Sequence, residues 1–329
     1  MTRSRSAVIN VGKILLAAVC LILLARYVWT HREDLSAIRY VRPRYMVLIL
    51  AGQLANLMLA GARFRAVLRN SGTSIGFWTW FRIFVISRFL SRLAPQGGNV
   101  YRAAILRTRF NVSITNYVSS FATIGLFNHW WNLFLALIVV LCVEPALRVE
   151  GLPVYLVLLV CLVLIGAAPF LFEAVLSRLT GRLRSLDYVH RKLVQVVRSV
   201  RDNQSNVALL IEFAVYASLH FALSLAVIYY CFACVGVAPS LAYLALCSAA
   251  LNLNRLILIT PGNIGVMEFI YAWLSREAGF GATEGVLAAL ILRGLAGINL
   301  LALGIMLGGL PYLAKYGRRK RAASGAEQG

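Results

Sequence analysis

Long stretches without charge recur along the chain, and they constrain its fold more than any other feature. A transmembrane helix needs about 20 consecutive apolar residues to cross the hydrocarbon core of a bilayer. We expect full spans at six places: 12–29, 44–62, 116–142, 152–172, 207–235 and 285–312. Two further apolar stretches, 77–93 and 241–259, each lead into a break that contains proline and glycine. The sequence therefore predicts an all-α polytopic membrane protein with about six full spans.

The composition excludes a soluble globular domain of this length. Hydrophobic residues make up 60% of the 329 residues and charged residues only 14%, whereas soluble proteins average about 25% charged. The net charge is +21, and in a membrane protein such an excess collects in cytoplasmic loops. No basic and aromatic platform for single-stranded nucleic acid lies outside the apolar stretches. We expect membrane lipids as partners, and no nucleic acid.

Cofactor chemistry has little support in the sequence. All six cysteines lie in apolar stretches, where cysteine behaves as a small hydrophobic residue. The Cys231-x-x-Cys234 pair has no second pair and no nearby histidine to complete a zinc site. No phosphate-binding loop for ATP is present. We expect no metal and no cofactor.

The basic residues predict the orientation in the membrane. Seven arginines and lysines crowd the segment 173–206, and more lie in the tail 315–329, so both should be cytoplasmic. The N-terminus should be cytoplasmic too, with an uncleaved first helix. The acidic loop 143–152 should face out. Residues 30–45 should also face out although they contain four arginines; we give the longer basic segments more weight.

The two breaks have similar sequences. Residues 95–102 read PQGGNVYR and residues 261–268 read PGNIGVME, each with a charge seven residues after the proline. Helix breaks at corresponding places in two halves of a membrane protein indicate a transport site. We predict two broken re-entrant hairpins in an inverted repeat, formed by residues 1–150 and 151–314 and followed by a basic tail, 315–329. Two ordinary kinked spans would produce similar breaks.

Polar residues near the breaks are candidates for binding a lipid headgroup. Glycine lets the backbone approach a ligand closely, a helix N-terminus can hold an anion, and arginine binds phosphate through two hydrogen bonds. Snorkelling arginines, structural turns and a structural histidine are the alternative interpretations. The candidates are Arg88, Arg92, Gly97, Gly98, Arg102, Asn128, His129, Asn252, Arg255, Gly262, Gly265, Glu268 and Arg293.

Helical spacing groups some of these candidates. Ser248, Asn252 and Arg255 form a polar stripe, and Asn128 and Asn132 share a face of another span. Glu268 needs a partner, because an unpaired buried carboxylate would take up a proton. The candidate partners are Arg102, Arg255 and Arg293. A structural ion pair and a switch linked to protons or substrate both fit this carboxylate.

The breaks also resemble a known family. Residues 95–102, with Pro-x-Gly-Gly-x-x-x-Arg, and residues 260–268, with Thr-Pro-Gly-Asn-Ile-Gly-Val-Met-Glu, precede the Arg293 span. Together they resemble the transmembrane region of lysylphosphatidylglycerol synthases and of their stand-alone flippase-like relatives. This chain departs at Asn99, where relatives often have glutamate. The resemblance implies an integral protein of the bacterial inner membrane that moves a lipid between leaflets.

We expect a lipid flippase or transporter, not an enzyme, that acts on an anionic or phosphate-bearing lipid. The lipid could be aminoacylated, polyisoprenyl or glycosylated. No synthase domain follows the transmembrane region, so a lipid-modifying synthase would be a separate partner. Two alternatives stay open. One is a membrane glycosyltransferase that uses a lipid-linked sugar, with Glu33 and Asp34 in the first outer loop. The other is a non-transporting accessory subunit of a lipid synthase.

Overall fold

The computed structural model describes residues 43–70, 72–93, 97–179, 206–254, 256 and 265–308. The predicted first span 12–29 and the tail 315–329 lie outside these residues. The helices in the described part of the chain are α1 Pro43–Asn70, α2 Phe77–Leu93, α3 Gly97–Phe110, α4 Ile114–Val143, α5 Val154–Leu179, α6 Val207–Cys234, α7 Leu241–Asn254, α8 Val266–Glu277 and α9 Ala282–Met306.

A small ribbon in the loop between α4 and α5 is the only β-structure among the described residues. Strand β1 (Arg148–Val149) pairs antiparallel with β2 (Leu152–Pro153). The turn places Glu150 at φ 50° and Gly151 at φ 75°, a left-handed pair that suits a tight hairpin. This ribbon is a minor addition to the predicted helical fold.

Four described helices are long and apolar enough to cross a membrane: α1, α4, α6 and α9. Large apolar side chains cover the outside of the bundle; Val160, Leu164 and Phe170 of α5 are 56%, 58% and 68% exposed. Polar side chains such as Asn252 and Glu268 are buried inside it. This arrangement is the opposite of a soluble protein and confirms a helical membrane protein. The total of six spans stays a prediction.

The same order of helix lengths occurs twice. A long helix is followed by two short helices and a second long one, with 28, 17, 14 and 30 residues in α1–α4 and 28, 14, 12 and 25 in α6–α9. The starts of α1 and α6, and those of α2 and α7, are each 164 residues apart. The two sets of helices therefore have the same plan.

The contacts between helices follow this plan. α1 packs on α2 and α4 as α6 packs on α7 and α9. α4 packs on α7 as α9 packs on α2, and the long helices α1 and α6 pack on each other. Each interhelical contact of one set thus has a counterpart in the other, which is the pattern that a twofold axis between α1 and α6 produces.

Polar contacts mark two ends of the bundle. At one end, which we call the basic end, Asn206 donates to the Asn70 amide oxygen at 2.7 Å and Arg69 pairs with Glu212 at 2.6 Å. These contacts join the end of α1 to the start of α6. The start of α2 lies there too, because the Arg65 Nε donates to the Ile75 carbonyl at 2.7 Å. α3 ends only three residues before α4 begins, so the hairpin α2–α3 opens toward the basic end.

The opposite end, which we call the acidic end, collects glutamates. Ser240, just before α7, donates to Glu144 at the end of α4, at 2.9 Å. Trp273, near the end of α8, donates from its indole to Glu150 at 3.2 Å. Both ends of the hairpin α7–α8 therefore lie at the acidic end. The two hairpins enter the bundle from opposite ends.

Candidate functional site

One face of α4 is polar along half of the helix. Tyr117, Ser120, Asn128 and Asn132 fall within a stripe about 120° wide, given 3.6 residues per turn, and span about 22 Å of helix axis. Tyr117, Ser120 and Asn132 are buried, with 6%, 0% and 5% exposure. Buried polar groups cost free energy unless they are hydrogen-bonded. A stripe of this length inside an apolar helix therefore needs partners, and other helices supply several of them.

A chain of amide groups crosses the middle of the bundle. The Arg63 guanidinium of α1 donates to the Asn128 oxygen of α4, and the Asn128 amide donates to the Asn252 oxygen of α7 at 3.1 Å. The Asn132 amide then donates to the Ser248 hydroxyl at 3.2 Å. The two polar stripes predicted on α4 and α7 thus face each other. Asn252 lies near the inner end of its hairpin, so the break in this hairpin comes close to the middle of α4.

Arg102 is buried in the first hairpin, with 4% exposure. Its Nε donates to the Ser87 hydroxyl of α2 at 3.0 Å. Its guanidinium carbon lies 5.2 Å from the ring centre of Phe64 and 5.1 Å from that of Phe84, within range of cation–π attraction. No carboxylate in the described ranges pairs with it. Gly98, one turn earlier, is buried where α3 comes closest to the Ser87 backbone.

Glu268 is the partner of Arg293. The carboxylate is 2% exposed, and one of its oxygens accepts a hydrogen bond from the Arg293 guanidinium. Its other oxygen accepts the Gly265 N–H at 2.8 Å, which caps the start of α8. Gly265 has φ 85°, a conformation that favours glycine. The anion site predicted at this helix N-terminus is therefore filled by the protein's own carboxylate.

The remaining candidates differ in burial. His129 is buried on α4, Gly97 is half-buried at the start of α3, and Arg88 and Arg92 are exposed on α2. Arg92 lies within electrostatic range of Arg293. The exposed positions fit both headgroup contact and snorkelling. Arg255 and Gly262 lie outside the described residues, and among the candidate partners of Glu268 only Arg102 and Arg293 can be placed.

Four residues of the site are absent from the predicted set: Arg63, Ser87, Tyr117 and Ser120. A hydropathy profile assigns Arg63 to a polar link, because it follows the apolar run of α1. Tyr117 and Ser120 share the face of Asn128 at helical spacing, so the stripe on α4 could have been extended toward its start. Nothing in the sequence distinguishes Ser87 as a partner of Arg102. No cluster of three or more potential metal ligands occurs in the described part of the chain.

A bundle with apolar side chains outside and a buried polar site between broken hairpins defines the chain as a polytopic α-helical membrane protein. A model of one family matches residues 10–304, the transmembrane region of lysylphosphatidylglycerol synthase. The chain belongs to this family, and the resemblance of its breaks is confirmed. No curated protein and no solved structure matched the chain. The family relates the protein to the handling of membrane lipids.

Proposed function

We propose that the protein moves an anionic or phosphate-bearing lipid between the leaflets of the bacterial inner membrane. The observation that carries the proposal is the polar stripe of α4, which spans about 22 Å of a hydrocarbon core about 30 Å thick. A headgroup that follows this stripe would exchange water for hydroxyl and amide partners. Without such partners, a charged group at the bilayer centre costs several kcal/mol. The stripe would lower that barrier.

The arrangement of the helices supports this function. Two hairpins that enter from opposite ends, within two sets of helices with the same contacts, fit an inverted repeat with the substrate site between its halves. α3, α7 and α8 have 14, 14 and 12 residues, or about 18–21 Å, too short to cross the core alone. We propose that they are re-entrant and that the other long helices are full spans.

We place the basic end in the cytoplasm, with both chain termini. Arg65, Arg69, Arg107 and Arg109 lie at the basic end, whereas Glu144, Glu150 and Glu277 lie at the acidic end. Basic residues favour the cytoplasmic side of bacterial membranes. In this proposal the protein performs no covalent chemistry and uses no cofactor. A lipid-modifying synthase would supply the lipid as a separate partner.

Replacement of Asn128 by leucine should slow lipid movement about tenfold. The substitution removes a partner of Arg63 and of Asn252 at the middle of the stripe, and an unmade hydrogen bond to a charged group costs about 1.5–3 kcal/mol. The measurement is the rate at which purified protein, in liposomes, exposes inner-leaflet fluorescent phosphatidylglycerol to a membrane-impermeant quencher.

Two variants control this experiment. Arg109→Gln changes an exposed polar residue of α3 away from the stripe and should leave the rate unchanged. Ser120→Ala removes a stripe hydroxyl that has no hydrogen-bond partner in the described structure, so slower movement by this variant would not come from a lost structural contact. If wild-type protein moved no lipid faster than empty liposomes, the transport function would be wrong.

A further inference from the structure

The charge around Arg102 is not balanced by the described residues. The guanidinium has only a neutral hydroxyl, Ser87, and two aromatic rings as partners. A buried charge is costly unless it is paired and hydrogen-bonded. The one carboxylate that is fully buried in the described structure, Glu268, is already bound to Arg293 and to the Gly265 N–H. An anionic ligand would balance the charge of Arg102.

Two buried hydroxyls near Arg102 also lack partners. The Tyr117 hydroxyl and the Ser120 hydroxyl are shielded from solvent and make no hydrogen bond in the described structure. The Tyr117 ring contacts Phe64 with ring centres 5.9 Å apart, and Arg102 covers the same Phe64 ring. The Tyr117 hydroxyl also lies within electrostatic range of Arg102. A buried donor without an acceptor costs about 1–3 kcal/mol, so these hydroxyls point to a ligand with acceptor oxygens.

We propose that Arg102, Tyr117 and Ser120 form a subsite for one phosphodiester monoanion, the phosphate of a phospholipid with an uncharged headgroup. The inference rests on the proposed function and specifies its substrate class. Arginine and hydroxyl donors together suit the oxygens of a phosphate. Tyr117 is only three residues from the start of α4, so the subsite lies near the basic end, where a phosphate from that leaflet would enter.

The number of charges sets the preference for a monoanion. One guanidinium neutralises one negative charge, so a phosphate monoester would leave its second charge buried without a partner. A zwitterionic headgroup would bring an ammonium group, and no buried carboxylate of the described residues remains to receive it. Hydroxyls of an uncharged headgroup could instead bond to the polar stripe of α4. Phosphatidylglycerol meets these requirements.

The test is a binding titration on the full chain, purified in a neutral detergent and delipidated. The probes are short-chain phosphatidylglycerol, phosphatidic acid, phosphatidylcholine and inorganic phosphate. We expect wild-type protein to bind phosphatidylglycerol at least tenfold more tightly than the other three. Equal binding of phosphatidylglycerol and phosphatidylcholine would overturn the proposal. Tightest binding of inorganic phosphate would identify a soluble anion as the ligand, and would overturn the lipid assignment.

Variants separate binding from folding. Tyr117→Phe removes one hydroxyl without changing the ring and should weaken phosphatidylglycerol binding about tenfold; Arg102→Met should weaken it about a hundredfold. Arg107→Gln, exposed on the same helix, should bind as wild type does. If Arg102 only ties α3 to α2, Arg102→Met should lower the melting temperature of the lipid-free protein. Because the residue is an unbalanced charge, we expect no such decrease.

The result can be distinguished from a failure of transport. If phosphatidylglycerol binding follows the expected order but the liposomes show no lipid movement, the subsite stands and the transport function is wrong. If lipid moves but Tyr117→Phe and Arg102→Met bind phosphatidylglycerol like wild type, the transport function stands and the subsite is wrong.

Discussion

Replacing Arg293 by methionine should lower the free energy of unfolding by about 4 kcal/mol, roughly a thousandfold in the unfolding equilibrium constant. The substitution leaves the Glu268 carboxylate, which is 2% exposed, with the Gly265 N–H as its remaining partner among the bonds described above. An uncompensated buried charge is far more costly than the loss of an exposed ion pair. The measurement is denaturant unfolding of purified protein from mild detergent, followed by circular dichroism.

Three further variants make this prediction specific to the buried pair. Glu268→Gln removes the charge but keeps an oxygen that can accept the Gly265 N–H, so its loss should be smaller, about 2 kcal/mol. The double variant should be more stable than Arg293→Met alone, because no charge is left buried. Arg276→Met, at an exposed position of α8 with 67% of its side chain accessible, should change stability by less than about 0.5 kcal/mol. Equal losses for Arg276→Met and Arg293→Met would contradict the buried ion pair.

Apolar runs and breaks predict most of the helices, because a bilayer permits few alternatives to a spanning helix. The bounds of α2 match the predicted stretch 77–93, and α6 ends within one residue of the predicted span 207–235. The prediction for α1 stops at residue 62, eight residues early. A hydropathy window ends at Arg63, yet Phe64, Val67 and Leu68 are buried at helical spacing. Periodicity, rather than mean hydropathy, identifies this last part of the helix.

The partners within the site could be predicted only in part. Stripes on α4 and α7 follow from spacing within one helix, but spacing does not say that Asn128 and Asn252 bond to each other. Glu268 has three arginines as candidates, and the choice of Arg293 depends on how α8 packs against α9. Arg102 carries the same charge, but its surroundings in the first hairpin lack a carboxylate among the described residues. Local patterns thus predict which faces are polar, whereas tertiary packing decides which charges are paired.

The close packing of α2 on α3 leads to the second large prediction, for Gly98. A Cβ atom at this position would overlap the Ser87 carbonyl oxygen and the Ser91 hydroxyl. A backbone carbonyl cannot move aside as a side chain can, so Gly98→Val should push the two arms of the hairpin apart. We expect a loss of about 3 kcal/mol in the free energy of unfolding, the upper end for overpacking, measured by the same denaturant titration.

Gly294 offers a matched control for this glycine. It also lies within a helix, α9, but it is exposed and a Cβ there would meet no atom within 4 Å. Gly294→Val should therefore change stability by less than about 0.5 kcal/mol. Because Arg102 follows Gly98 by one helical turn, a hairpin opened by Gly98→Val would also draw Arg102 away from Ser87 and weaken phosphatidylglycerol binding. Wild-type stability and binding in Gly98→Val would mean that the arms of the first hairpin do not cross at this glycine, and the subsite built on that crossing would be wrong as well.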